Sequence, residues 1–185
     1  MDTVERVEQA DLAVARRVTA DRHPLVRLAG KASELADQPP LRALTLGTIA
    51  VGLARGDGRL ARAGARMFAA HTLATWMKDR VKVRIDRTRP ETARDEGYRA
   101  GPGEATEHAV TSFPSGHTAG ALAVTLALAR DYPSARDPGL VLTAAVAAVQ
   151  LPRAKHFLSD VIAGAAIGWA ADRIVGRVLP GRGRD

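Results

Sequence analysis

The sequence has no cysteine among its 185 residues, so disulfide bonds and thiolate metal sites are excluded. Aromatic residues are scarce, at 4% of the chain, and alanine is prominent among the apolar residues. This composition favours closely packed helices over a β-sandwich. No zinc-finger or RNP-type signature is present, so we expect no nucleic-acid partner although the net charge is +7.

Long apolar runs are also missing. The uncharged segments are shorter than the about 20 residues that a membrane-spanning helix needs, and the mean hydropathy is −0.10. A soluble helical bundle is therefore one interpretation. The runs 118–129, 140–149 and 161–171, however, are apolar on nearly every side, and small residues recur over 164–168 at spacings typical of membrane helices. We therefore expect an all-α, multi-pass transmembrane bundle without a cleavable signal peptide.

Amphipathic patterns precede this bundle and define the predicted domain organisation. Residues 1–40 predict two amphipathic helices that lie on a membrane surface or pack on the bundle, and Asp2 with Glu5 can form a capping box at their start. Residues 41–178 form the predicted helical bundle. Residues 179–185 form a basic tail.

The segment 113–117, Phe-Pro-Ser-Gly-His, directly precedes an apolar run and predicts the start of a helix. The Ser115 hydroxyl and the backbone N–H of Gly116 can hydrogen-bond phosphate oxygens, and the positive end of the helix dipole favours such an anion. His117 can transfer a proton near neutral pH. Taken alone, the segment fits a capped helix with a surface histidine equally well.

Two further motifs flank this segment. Lys82 precedes Arg89-Pro90 by seven positions, and both cations can neutralise a phosphate, with Arg89 binding two oxygens at once. The four-residue spacing of His156 and Asp160 places them on one face if the segment is helical. Asp160 can then hold one ring nitrogen of His156 and leave the other free to attack phosphorus.

Other residues near the motifs are interpreted without a catalytic role. A basic cluster beside the membrane accounts for three of them, namely Lys78, Arg84 and Arg87. The polar segment 91–112 predicts a loop that brings the first motif beside the second.

The three motifs in this order resemble the type 2 phosphatidic acid phosphatase superfamily, over about residues 40–176. The resemblance implies that His156 is the nucleophile and forms a phosphohistidine, and that His117 protonates the leaving oxygen and then activates water. It implies no metal and no cofactor. Small lipid phosphatases of this kind are integral membrane proteins, so we expect a cell-membrane location with the catalytic loops on the non-cytoplasmic side.

One position departs from the family pattern. The third motif has an arginine six residues before its histidine, and this chain has Gln150 there. If residues 153–160 are helical, Arg153 shares a face with His156 and Asp160, and we expect Arg153 to take over the phosphate contact. The alternative is that Arg153 is a surface charge and the site is weakened.

The sequence thus predicts hydrolysis of a lipid phosphate or diphosphate. Isoprenoid diphosphates, phosphatidic acid and phosphatidylglycerol phosphate are all candidate substrates, and the generic apolar residues do not choose among them. A degenerate member that only binds lipid phosphate and a vanadate-dependent haloperoxidase are the alternatives. The expected partners are the lipid phosphate and the membrane, and the sequence does not predict an oligomeric state.

Overall fold

The computed structural model describes residues 3–104 and 106–179, and these confirm the all-α prediction. The described helices are α1 (Thr3–Val18), α2 (Pro24–Ser33), α3 (Gln38–Ala54), α4 (Gly58–Lys82), α5 (Pro90–Glu96), α6 (Gly116–Asp131), α7 (Arg136–Val149) and α8 (Leu158–Val178). A small antiparallel sheet pairs β1 (Ile85–Arg87) with β2 (Ala100–Pro102). Short 3₁₀ turns lie at Glu34–Ala36, His108–Val110 and Pro133–Ala135.

The long helix α4 lies at the centre of the bundle. It packs against α3, α6 and α8, and α6 in turn packs against α7 and α8. The core between these helices is built mainly of small side chains, which lets the helix axes approach closely. Its buried members are Leu41, Met67, Ala70, Ala74, Ala123, Val124, Ala127, Ala171 and Val175.

Two glycines explain how closely α8 approaches α6. A Cβ atom at Gly164 would overlap the carbonyl oxygen of Ser115, and one at Gly168 would overlap that of Ala119. The small-residue spacing in the sequence therefore marks a backbone-to-backbone contact between two helices. This contact also fixes the start of α6, where the Pro-Ser-Gly-His segment lies.

The predicted loop 91–112 is partly wrong, because it contains most of α5 and the whole of β2. Helix α5 begins at Pro90, whose fixed φ suits the first helical position, and it ends before Gly97, which has a φ of 88°. The strands have three residues each, which is too short for an alternating pattern to be recognised in the sequence.

The two predicted N-terminal helices are confirmed as α1 and α2, which lie near α8 and α7 respectively. Asp2, and with it the proposed capping box, lies outside the described residues, as do residues 180–185 of the predicted basic tail. The apolar stripe of α2 does not pack inward, because Leu25 and Leu28 are both exposed.

Other large apolar side chains are also exposed on the bundle, among them Trp76, Val141, Leu142 and Trp169. Within residues 3–104 and 106–179, no helix combines the length and the apolar character that crossing a bilayer requires. The multi-pass arrangement therefore stays a prediction.

Candidate active site

A cavity of about 430 Å³ lies where the bundle meets the segments around α5 and α2. It is lined by five basic side chains and only two carboxylates, so it attracts anions. The basic residues are Lys78, Lys82, Arg89, Arg153 and Lys155, and the remaining lining residues are Glu34, Asp37, Gln38, His108, Gly116, His117 and Gln150. The three cations predicted to bind phosphate thus share one cavity.

The Pro-Ser-Gly-His segment forms the start of α6, as the sequence predicts. Gly116 and His117 line the cavity at this helix start. Ser115 does not line it, because its side chain is buried beneath the helix and its Oγ accepts a hydrogen bond from Thr118 Oγ1 at 3.1 Å. The predicted phosphate contact from the Ser115 hydroxyl therefore has no support, and the residue serves to anchor the helix start: its backbone N–H donates to the Asp160 carbonyl oxygen at 3.0 Å.

Backbone carbonyls hold the two motif cations in the cavity wall. Lys82 Nζ donates to the Thr111 carbonyl oxygen at 2.6 Å. Arg89 Nε donates to the His108 carbonyl oxygen at 2.7 Å, and its Nη1 donates to that of Lys155 at 3.0 Å. Burial, helped by the nearby positive charge of Arg89, lowers the pKa of Lys82 to about 8. Lys82 thus carries a charge that titrates close to neutral pH.

His156 is buried in the segment before α8 and is not one of the residues that line the cavity. Its chain neighbour Lys155 does line it, and the cavity residues Arg89 and Lys82 are near enough for their charges to act on the His156 ring. Its Nδ1 atom lies 2.7 Å from the carbonyl oxygen of Ser112, so this nitrogen carries the proton and Nε2 keeps its lone pair. Burial lowers the pKa of His156 to about 4, and Arg89 adds to this, although Asp160 opposes the shift. At neutral pH the ring is therefore uncharged, which is the form a nucleophile needs.

The predicted helix over 153–160 that would pair His156 with Asp160 is wrong, although the two side chains do face each other. His156 precedes α8, and its Nδ1 lies 3.7 Å from Asp160 Oδ2, too far for a hydrogen bond. That carboxylate oxygen instead accepts from the N–H of Phe157 at 2.8 Å. Asp160 thus orders the turn that holds His156 and acts on the ring through its charge.

His117 faces a carboxylate that comes from the N-terminal segment. Its Nε2 lies 3.4 Å from Glu34 Oε2, and the other carboxylate oxygen accepts from Arg153 Nη2 at 2.5 Å. Burial raises the pKa of the Glu34 carboxyl, but the hydrogen bond from Arg153 and its positive charge outweigh this effect. The pKa of Glu34 is therefore lowered overall. Glu34 is therefore ionised beside the imidazole predicted to move the proton.

Arg153 lines the cavity, but for a different reason than the sequence suggested. The chain forms a turn over 151–154, with Ala154 at a φ of 55°, so Arg153 does not share a helix face with His156 and Asp160. Its Nη1 donates to Ser33 Oγ at 2.9 Å. Gly30 makes room for it, because a Cβ there would lie 2.7 Å from Arg153 Nε.

Gln150, which stands at the position of the missing arginine, is fully buried at the back of the cavity. Its Nε2 donates to the Val146 carbonyl oxygen at 3.0 Å and to Ser33 Oγ at 3.3 Å. Its Oε1 accepts from Arg153 Nη1 at 3.4 Å. Gln150 thus helps to hold Arg153, the nearby residue that does carry a charge.

Two residues of the predicted basic cluster, Lys78 and Arg87, are buried and contact the candidate site. Lys78 is buried and lines the cavity, and its position four residues before Lys82 places both on one face of α4, a signal present in the sequence. Arg87 is buried and its Nη1 donates to Asp160 Oδ1 at 2.5 Å. No spacing in the sequence marks Arg87. Arg84 is exposed, as expected of a surface charge.

One group of side chains at the cavity has the geometry of a cation site. Glu34, Asp37 and His117 each place one ligand atom within 4.8 Å of the others. Arg153 already pairs with Glu34, and its positive charge opposes a cation at this point. Exposed carboxylates group in this way without a metal, and the group does not by itself assign one.

Known proteins share the sequence motifs and the fold of this chain. Residues 63–184, which contain all three motifs, match the sequence model of the PAP2 superfamily. Among solved structures, the fold is similar to the first transmembrane PAP2 type phosphatidylglycerolphosphate phosphatase from Bacillus subtilis, with a TM-score of 0.66 and 19% identity over 97% of this chain and 90% of that chain. No curated protein matches the sequence.

Proposed function

This chain belongs to the PAP2 superfamily, and we propose that it hydrolyses a phosphate monoester or diphosphate carried on a lipid. The observation that carries the proposal is the uncharged His156 ring, fixed through Nδ1 by the Ser112 carbonyl oxygen at 2.7 Å beside a cationic cavity. Such a ring leaves Nε2 free to attack phosphorus, while Lys82 and Arg89 neutralise the phosphate oxygens.

The reaction proceeds in two steps. In the first, His156 Nε2 forms a bond to the terminal phosphorus, and the bond from that phosphorus to the leaving oxygen breaks. The leaving oxygen is the ester oxygen of a monoester or the bridging oxygen of a diphosphate, and His117 donates a proton to it. In the second, His117 takes a proton from water, the water oxygen attacks the phosphohistidine, and the nitrogen–phosphorus bond breaks. Inorganic phosphate leaves and both imidazoles return to their starting forms. The Ser112 carbonyl oxygen and the Asp160 carboxylate stabilise the positive charge on the phosphorylated ring.

Arg153 supplies the positive charge that the family motif provides through its own arginine. It lines the same cavity as Lys82 and Arg89, and Gln150 and Ser33 hold its guanidinium from behind. In this assignment the arginine has moved three positions along the chain while its charge stays at the cavity.

A membrane location forms part of the proposal. The exposed stripe of Leu25, Leu28 and Leu35 suits the apolar interior of a lipid layer, where the substrate tail also lies. The structural relative is described as transmembrane, and the same lipid environment is proposed for this chain, with the cavity on the non-cytoplasmic side. The test is to wash the membrane fraction with alkaline carbonate. Retention of the protein in the membrane fraction would support integral insertion, and its release into the wash would contradict it.

The decisive experiment measures phosphate release by the purified full-length chain in detergent. The substrates are short-chain phosphatidic acid, phosphatidylglycerol phosphate and an isoprenoid diphosphate, each with and without a chelator. We expect release by the wild type, none by His156→Ala, and a phosphohistidine trapped by rapid acid-free quenching. Equal release by both proteins would remove His156 from the mechanism. Loss of release on chelation would contradict the metal-independent scheme.

A second candidate function is binding of lipid phosphate without turnover, and the glutamine at position 150 favours it. Its expected signature is saturable binding of the same lipids, weakened by Arg89→Ala, with no phosphate released over long incubation. Turnover by the wild type would exclude it.

A further inference from the structure

The N-terminal helix α1 reaches the carboxylate of Asp160 through one buried arginine. Arg87 Nη1 donates to Asp160 Oδ1 at 2.5 Å, and its Nη2 donates to Asp11 Oδ2 at 2.7 Å. The three residues Asp11, Arg87 and Asp160 are only 3%, 5% and 0% exposed, respectively. They form a continuous buried row of alternating charge from α1 to the start of α8.

Asp11 also holds the first turn of α8. Its Oδ1 accepts from the N–H of Ser159 at 3.0 Å, and its Oδ2 accepts from the Ser159 hydroxyl. The residue before α8 is Phe157, whose side chain has no acceptor for the free N–H groups of a helix start. An aspartate from another helix therefore performs the capping that the local sequence lacks.

Aromatic rings fix the arginine between the two carboxylates. The guanidinium carbon of Arg87 lies 4.4 Å from the centre of the Phe157 ring and 5.6 Å from that of Tyr98. Arg87 Nε donates to Tyr98 Oη at 3.2 Å, and that hydroxyl donates to Glu8 of α1 at 2.9 Å. A planar guanidinium can contact two carboxylates through separate nitrogens while its flat face stacks on a ring, whereas an ammonium group has a single nitrogen and no flat face.

We propose that Asp11 and Arg87 are positioning residues, which hold Asp160 and the start of α8 so that the His156 ring presents Nε2 to the phosphate. The inference rests on the proposed function for its catalytic consequence. It also assigns α1 a task in the chemistry, in addition to any contact with a membrane.

The charge balance of the row explains why both residues are needed. Without Arg87, the Asp160 carboxylate would be unpaired in a buried place and would draw a proton onto the neighbouring His156 ring. Without Asp11, the guanidinium would have one carboxylate instead of two and would lose its fixed orientation. Each loss disturbs His156 although neither residue touches the substrate.

The test compares Asp11→Asn, Arg87→Gln and the double variant in the full-length protein. We expect each single change to lower kcat by about tenfold or more, the size found for groups that orient a catalytic ligand, with KM nearly unchanged. The kcat of the double variant should be no lower than that of the worse single variant, because both changes disrupt the same row of paired charges. Arg87→Lys should also have a lowered kcat, since one lysine nitrogen replaces the two nitrogens, Nη1 and Nη2, through which Arg87 contacts the two carboxylates.

Asp172→Asn is the matched control, because Asp172 is also a buried aspartate on α8 that pairs with an arginine, Arg130, at 2.7 Å. Thermal unfolding is measured for every variant, to establish that each one is folded at the assay temperature. If Asp172→Asn lowers kcat as much as Asp11→Asn at equal loss of stability, the effect is one of folding and the inference is overturned.

A readout without turnover separates the inference from the proposed function. The ¹⁵N signals of the His156 ring should shift in Asp11→Asn and Arg87→Gln and stay unchanged in Asp172→Asn. Unchanged ring signals and wild-type kcat in Asp11→Asn would overturn the inference. If the wild type releases no phosphate from any of the three lipids, the proposed function fails, and the ring signals still decide whether the row positions His156.

Discussion

The backbone carbonyl oxygen of Ser112 lies 2.7 Å from Nδ1 of His156 and is the nearest hydrogen-bond partner of the ring among the described residues. A peptide carbonyl cannot change its protonation state, so this hydrogen bond does not itself depend on the ionisation of a carboxylate. Asp160 then contributes through its charge and through the turn that it orders.

This arrangement predicts a graded response at Asp160. In Asp160→Asn the Ser112 carbonyl oxygen still holds the ring, and Asp11 still pairs with Arg87, so we expect kcat to fall by about 10- to 100-fold. His156→Ala should have no measurable turnover. Steady-state phosphate release measures both. Complete loss in a folded Asp160→Asn protein would show that the carbonyl alone does not orient the ring.

The plot of kcat/KM against pH should fall on its alkaline side because Lys82 loses its proton there. Its pKa is lowered to about 8, so the charge facing the phosphate is lost as the pH rises through that value, and kcat/KM should fall with it. In Lys82→Arg the limb should move above pH 10, because guanidinium stays protonated there. An unchanged alkaline limb in Lys82→Arg would assign it to another group.

Burial of the uncharged His156 ring links stability to pH. Its pKa is about 4 in the folded chain and 6.5 when exposed, so between these values the unfolded chain binds more protons. The contribution is complete above pH 6.5 and is lost as the pH falls to about 4. We therefore expect the free energy of unfolding to fall less steeply over this range in His156→Gln than in the wild type, measured by denaturant titration. Parallel curves would contradict the assigned pKa.

Arg153 should matter more for turnover than Gln150. Loss of a charged hydrogen bond to phosphate costs about 1.5–3 kcal/mol, so Arg153→Ala should lower kcat/KM by about 10- to 100-fold. Gln150→Ala should have a smaller effect, because it removes a group that holds Arg153. The same lipid substrate is used for both variants. Full activity of Arg153→Ala would assign the phosphate contact elsewhere.

Gly164 should be intolerant of a side chain. A Cβ there meets the Ser115 carbonyl oxygen, so Gly164→Ala should lower the free energy of unfolding by about 1–3 kcal/mol and displace the start of α6. Gly47→Ala in α3 is the control, because no atom lies within 4 Å of its added Cβ. It should be neutral or stabilising by roughly 0.5–1 kcal/mol. Equal stability of the two variants would argue against tight packing of α6 on α8.

The sequence predicted the parts of the site that depend on local chemistry. The start of α6 follows from the residues at 113–117, and Lys82 and Arg89 reach the cavity with the seven-residue spacing seen in the sequence. The position of Arg153 could not be derived, because the sequence suggested a helix over 153–160. The chain instead turns there, with Gln150 O accepting from both Lys155 N at 3.2 Å and His156 N at 3.4 Å.

Long-range pairs were beyond the reach of sequence patterns. Asp11 was one charge on an amphipathic helix, and Arg87 was one of several basic residues near α4. Their pairing joins positions 76 residues apart and is decided by how α1 packs on the bundle. No pattern in the sequence marks Glu34 either, and the structure places it between His117 and Arg153.

The wall of the cavity that contains Glu34, Asp37 and Gln38 lies outside the stretch 63–184 that matches the superfamily. The imidazoles of His117 and His156 and the motif cations Lys82 and Arg89 all lie inside that stretch. This wall of the cavity can therefore change independently of the motif residues. Under the proposed function, substitutions at these three positions change the surroundings of the bound phosphate and leave the residues proposed to act on phosphorus unaltered.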